Sequence, residues 1–267
     1  MSGGKSFCGS GLSARAGRRA FTLIEVLVVV SVIAMLMVLL LPALHGARRQ
    51  AKAVACQARL HQWAVMIHQY TSDHAGWLFY PQGTPQNDGE WYRALEPYYQ
   101  RAHPDRLEML YCPAKKFIPG EGWVKNAGYG INYWVYDSSR PLPPDGKTHP
   151  NLPLYWRHVD KARSPSTVPV LLDFRWMYGG GGGPHPTDEP PAFDGDSCGG
   201  WMSEFCDARH GSASNGFFMD WSVRKVGLKE LWTLKWHRKY NTAGPWTKRG
   251  GALPEDWPRW MRKFKDY

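Results

Sequence analysis

The chain has 267 residues, enough for one membrane segment and one extramembrane domain with a core of its own. Aromatic residues make up 14%, with fourteen Trp, which argues against a disordered chain; 28 Gly and 21 Pro point to many turns and long loops. The charge of +10 is not a nucleic-acid footprint: Lys5, Arg15, Arg18 and Arg19 stand with no acid in the first twenty residues, and without them the excess is +6.

The first element in chain order is the apolar run Phe21–Leu41, with the sequence FTLIEVLVVVSVIAMLMVLLL. Its 21 residues would make a helix of about 31 Å, against a bilayer core of about 30 Å. β-Branched residues are frequent in it, but a segment in lipid must satisfy its own backbone, so a helix is predicted. The run is longer than the h-region of a secretory signal, and no A-x-A cleavage site follows it.

Glu25 is the only charge in the run. A carboxylate at the centre of such a helix costs about 2.5–3.5 kcal/mol, an upper bound for one nearer the end. A plain signal anchor has no use for it. If the chain is cut between Ala20 and Phe21, Phe21 gains a free α-amino group one helical turn from Glu25. The carboxylate then pairs with that amine, in its own chain or a neighbour's, and sets the register of adjacent helices.

The segment Arg18-Arg19-Ala20-Phe21-Thr22-Leu23-Ile24-Glu25 resembles the prepilin cleavage and methylation motif of type IV pilin-like proteins and pseudopilins. The resemblance implies that prepilin peptidase cuts before Phe21 and methylates it, and that Phe21 and Glu25 support assembly with other pilin-like subunits. Ala20 stands where that family usually has Gly, and slower cleavage is the expected consequence. The basic residues on the two sides of the run nearly balance, so charge alone gives no orientation. The resemblance places the leader in the cytoplasm, the run in the inner membrane and the rest outside.

After Pro42, a possible kink, residues 43–72 read as an amphipathic stem helix. Leu44, Ala47, Ala51, Val54, Ala58, Leu60, Trp63, Ile67 and Tyr70 form its apolar stripe, with Gly76 as the cap. The predicted parts are thus a leader over 1–20, a transmembrane helix over 21–41, a stem over 42–75 and a domain over 76–267. The pattern predicts a short helix over 90–100 and strands over 129–136 and 168–174, with Pro169 on an edge or at a strand start. A hairpin is predicted from 216–219 and 222–226, then a closing helix over 227–237. Residues 138–153 and 177–200 read as loops, the second with five glycines from Gly179 to Gly183. The fold class is α+β: a long N-terminal helix packed on an antiparallel sheet with large loops, as the pilin resemblance also implies.

Further segments resemble a group of pilin-like proteins with a C-terminal H-X9-DG signature. Here His210 is followed by nine residues and Asp220, with Trp221 in place of Gly. Tyr111-Cys112-Pro113, the segment 128–133 and the segment 165–174 fit the same order. Two readings stand for His210 and Asp220. They are metal ligands or an acid–base pair, or they are structural, with Asp220 organising its turn by an Asx contact. Trp221 does not suit φ > 0, so a turn different from Asp-Gly is expected.

Cys198 and Cys206 flank a short loop that a disulfide would close, stabilising by about 2–3 kcal/mol; metal binding with His210 is the alternative. A second bridge between Cys56 and Cys112 would tie stem to domain, against two buried thiols. Asp188, Glu189, Asp194 and Asp196 cluster in one loop and offer hard oxygen ligands for calcium, although EF-hand spacing is absent. Trp246, Trp257 and Trp260 lie among bases in the last stretch, either to stack sugars or bases or to cover the core. The chain carries no G-x-S-x-G, H-E-x-x-H, Walker or dinucleotide motif. The resulting expectation is a non-enzymatic subunit of a type II secretion-like or type IV pilus-like assembly. A membrane-anchored binding module is the rival, and a metal-dependent surface enzyme a third class.

Overall fold

The computed structural model describes residues 22–79, 91–99, 109–115, 128–136, 151–175, 183–196 and 200–267. The chain divides into two compact units, Met1–Ala47 and Arg48–Tyr267.

Helix α1 runs from Leu23 to Asp73 without a break at Pro42. Its first part is apolar on every face: the most apolar 18-residue window has a mean hydropathy of 3.0 and none of it is buried. Leu23, Met35, Val38 and Leu39 are all more than 60% exposed. Such a surface needs lipid or neighbouring helices to cover it. By length and composition α1 can cross a membrane.

The second part of α1 is amphipathic, but its buried stripe differs from the expected one. Ala53, Cys56, Leu60, Trp63, Ile67 and Tyr70 are buried, a spacing that alternates three and four. Leu44, Ala47, Ala51, Val54 and Ala58 face outward. Small and apolar residues surround α1 on several faces between 44 and 58, so hydropathy alone did not fix the phase; Cys56 and Ala53 mark it. The helix ends at a left-handed turn, with Ala75 at φ 50° and Gly76 at φ 82°, where the Gly76 N–H bonds to the Thr71 carbonyl at 2.7 Å.

Four antiparallel strands form one sheet in sequential order: β1 (Tyr129–Ile131), β2 (Pro169–Asp173), β3 (Ala213–Phe218) and β4 (Val223–Gly227). Leu172 pairs with Gly130 on one side and Gly216 on the other. β1 is shorter than predicted: the chain turns at Asn132 into a 3-10 turn, Tyr133–Val135. The Asn132 side chain drives the turn by accepting from Trp134 N–H while donating to the carbonyls of Pro169 and Trp236. Pro169 opens an interior strand, where the β2–β3 register shifts between Pro169 and Leu171. The predicted closing helix is a 3-10 turn, Lys229–Thr233, and the helix predicted over 90–100 is split into α2 (Trp91–Ala94) and α3 (Glu96–Tyr99). Among the described residues, one further short helix, α4 (Trp201–Phe205), precedes β3.

From Arg48 onward α1 packs on this sheet. Gln57 donates to Asn215 on β3 at 3.0 Å, and the Tyr129 hydroxyl of β1 reaches the Cys56 carbonyl at 3.4 Å. Trp63 meets Trp91 and Tyr99 edge-on and donates its indole N–H to the Met109 carbonyl. A single core joins these residues to Phe217, Trp232 and Trp236. The fold is α+β, with a long N-terminal helix on a four-stranded antiparallel sheet.

Candidate functional site

Two places carry chemistry. The first is the start of α1. Ala20 and Phe21, the expected cleavage pair, lie outside the described residues. Thr22 and Glu25 are described, and they form a reciprocal cap. The Glu25 N–H donates to Thr22 Oγ1 at 3.3 Å, while Glu25 Oε2 accepts from the Thr22 N–H at 2.8 Å and from its hydroxyl at 2.9 Å. This is a capping box: two backbone donors with no partner inside the helix are satisfied by side chains three residues apart. Glu25 therefore has a local partner in the chain, besides any amine that cleavage creates.

The second place is buried under the sheet. Cys56 of α1, Cys112 of the turn 109–115, Asp173 at the end of β2 and His210 ahead of β3 bring one donor atom each within 4.8 Å of one another. Cys56 Sγ is 3.2 Å from Asp173 Oδ1, Cys112 Sγ is 3.4 Å from His210 Nε2, and His210 Nε2 is 3.2 Å from Asp173 Oδ2. The side chains of Asp173 and His210 are 0% and 1% exposed.

Each donor is held by its own element. The turn that carries Cys112 is fastened to α1 by Arg59, which donates to the Tyr111 carbonyl, and by Trp63. Gly128 lies against this turn so closely that a Cβ there would fall on the Cys112 backbone nitrogen. Asp173 is fixed by the Asn215 N–H, which donates to its Oδ2 at 2.7 Å. His210 follows Arg209, whose buried guanidinium ties Gly128, Phe174 and Asp207 together.

Burial by itself would raise the Asp173 carboxyl, but the His210 hydrogen bond and the Arg209 charge outweigh it and hold it below the usual carboxylate range. Burial by itself would lower His210, but its bonds to Asp173 and Cys112 outweigh that and push it up to about 9. Of the two thiols, Cys112 is drawn down by hydrogen bonding from Cys56 and by His210, while Cys56 is driven up by its bond to Cys112 and by burial.

The arrangement is not a nucleophile–base relay. In a Cys–His–Asp relay the two ring nitrogens serve different partners. Here Nε2 faces both Cys112 and Asp173, and the buried Nδ1 has no hydrogen-bond partner among the described residues.

The remaining expected site residues are placed as follows. Asp220 does not join His210 among the described residues; it accepts from the N–H and hydroxyl of Ser222 in the β3–β4 turn. Contrary to expectation, Trp221 takes the left-handed conformation, φ 68°, but Asp220 does not; with Trp221 N–H bonded to the Phe218 carbonyl and Phe218 N–H to the Ser222 carbonyl, the loop has three residues and one left-handed position, so it differs from the two-residue Asp-Gly turn as expected. Cys206 is a free, fully buried thiol at the end of α4, and burial pushes it up; its expected partner Cys198 lies outside the described residues. Cys56 and Cys112 meet, as free thiols and not as a bridge.

The calcium reading gains nothing. Asp188 accepts from the N–H groups of His185 and Met202, Asp194 from Ala208 and Asp196 from Ala192, so these carboxylates order the loop and tie it to the segment around α4. Among the described residues they form no metal-binding group. Trp257 is buried against Trp232, and Trp246 and Trp260 pack on the core, so these rings cover apolar surface.

Sequence reasoning missed the convergence on Asp173. The available signal was an acid closing an otherwise apolar strand, Pro169–Asp173, every residue of which is buried.

Residues 15–41 match the prokaryotic N-terminal methylation motif. With the long apolar helix that follows, this match fits a type IV pilin-like protein or pseudopilin. No curated protein and no solved structure matches the chain.

Proposed function

We infer that the chain is a structural, non-enzymatic pilin-like subunit of a type II secretion-like or type IV pilus-like assembly. It is made as a single-pass precursor with its leader, residues 1–20, in the cytoplasm. Prepilin peptidase cuts between Ala20 and Phe21 and methylates Phe21, leaving the apolar part of α1 in the inner membrane and the domain from residue 76 outside. The observation that supports this most is the methylation motif over residues 15–41, set directly on the start of an apolar helix with an acid in its first turn. In assembly the exposed apolar faces of α1 meet those of other subunits, and Glu25 meets a Phe21 amine.

The capping box sharpens the test. Gln at position 25 preserves the cap but not the charge. Glu25→Gln is expected to leave processing and membrane insertion intact and to abolish co-assembly, read by in-membrane crosslinking between subunits. Normal crosslinking in that variant would remove the charge-pairing mechanism.

A second reading is a membrane-anchored binding module. A cleft of about 650 Å³ supports it, lined by Lys161, Arg163, Lys235, Arg238 and Arg249 with no carboxylate among the lining residues. Its chemistry suits an anionic surface ligand more than a neutral glycan.

A further inference from the structure

We propose that Cys56, Cys112, Asp173 and His210 form a structural zinc site that fastens helix α1 to the sheet. The four donors come from four segments far apart in sequence, so chance proximity along the chain does not explain their meeting. Their chemistry is that of zinc: two thiols, an imidazole and a carboxylate, in a largely buried site.

The geometry agrees. Zinc bonds of about 2.3 Å to sulfur and about 2.0–2.2 Å to nitrogen and oxygen put tetrahedral donors about 3.3–3.8 Å apart. Cys56 lies 3.2 Å from Asp173 Oδ1 and Cys112 3.4 Å from His210 Nε2, while His210 meets the other carboxylate oxygen, Oδ2, at 3.2 Å; taking one donor atom from each residue, all four lie within 4.8 Å of one another. Drawing the wider pairs in to tetrahedral distances completes the shell.

Two further features bear on ligation. His210 turns Nε2, the nitrogen a ligand would use, toward Cys112 and Asp173. Asp173 keeps Oδ1 toward Cys56 and anchors Oδ2 on the Asn215 N–H, a second contact of the kind that orients ligating carboxylates. On binding, the metal takes up a lone pair from each of four donors. The thiol protons and any proton on the Nε2 of His210 leave to solvent, so no oxidant or reductant is required. The site is independent of N-terminal processing.

The test uses the full chain, purified in detergent under reducing conditions without chelator. One zinc per chain is expected by elemental analysis. Cobalt substituted for zinc should give the intense d–d absorption of a tetrahedral site and a thiolate charge-transfer band. Cys112→Ser and His210→Gln should lose the metal at least tenfold, whereas Asp220→Asn and Cys206→Ala, which lie outside the cluster, should keep it. Because the first two variants can fail to fold, the cobalt spectrum of the unaltered chain decides independently. A chain that binds neither added zinc nor cobalt, or binds cobalt octahedrally, overturns the proposal. So does peptide mapping that finds Cys56 bridged to Cys112 in protein isolated from cells without reductant.

Discussion

The ring of Trp221, in the β3–β4 turn, meets the ring of His68 on α1 edge to face, with centroids 4.8 Å apart and planes at 86°. The same indole stacks near Phe217 at 6.3 Å. Trp221 thus links the hairpin to the helix from a backbone position, φ 68°, that bulky residues rarely adopt. Two effects oppose each other there: strain of about 1–2 kcal/mol and the packing of a large ring.

They can be separated. Trp221→Ala and Trp221→Gly both remove the ring, but only Gly relieves the backbone. The Gly variant should be more stable than the Ala variant by about 1–2 kcal/mol in denaturant unfolding. Equal stabilities would mean that the turn readjusts and carries no strain.

Lys229 is fully buried, and its ammonium contacts Asp266 at 2.6 Å and lies 4.8 Å from the Trp257 ring centroid. Removing the acid leaves an unpaired buried cation, whereas removing the base leaves a carboxylate that reaches solvent. Asp266→Asn should therefore destabilise by about 3 kcal/mol or more, and Lys229→Met by clearly less. The order of the two melting temperatures checks this; the reverse order would contradict it.

His237 is buried beside Trp134 and Tyr240, with His185 and Lys235 nearby. Burial pushes it down to about 4, and both neighbours add to the effect. Its Nδ1 accepts from the Lys239 N–H, which suits the neutral ring. The folded state thus resists a proton that the unfolded state takes up near pH 6.5. Stability present above that pH should be lost as pH falls from about 6.5 to about 4, by up to about 3 kcal/mol. His237→Asn, which keeps an acceptor, should flatten this part of the profile in melts taken from pH 7 to 4. An unchanged slope would show that other groups carry it.

The legible parts of the sequence were those governed by local rules. An apolar run of 21 residues must be a helix in lipid, and the hairpin arms 216–219 and 222–226 flank the turn at Asp220. What could not be read depends on contacts distant in sequence. The face that α1 buries is set by the sheet it meets, so the phase of the stripe before Leu60 was misjudged. β1 ends early because Asn132 finds the carbonyls of Pro169 and Trp236, which no local pattern announces. Cys56 and Cys112 stand out in the sequence as a possible bridge and His210 as part of the H-X9-D signature, while Asp173 is hidden in an apolar strand. Only the fold brings them to one point.

Proteolysis between Ala20 and Phe21 is the step on which assembly of this subunit depends. Mass spectrometry of the N-terminal peptide, from chain extracted from cells that contain prepilin peptidase, tests it most directly. The predicted result is a peptide beginning at Phe21 with one methyl group on its amine. A peptide that still carries residues 1–20, from membranes in which the peptidase is active, would contradict it.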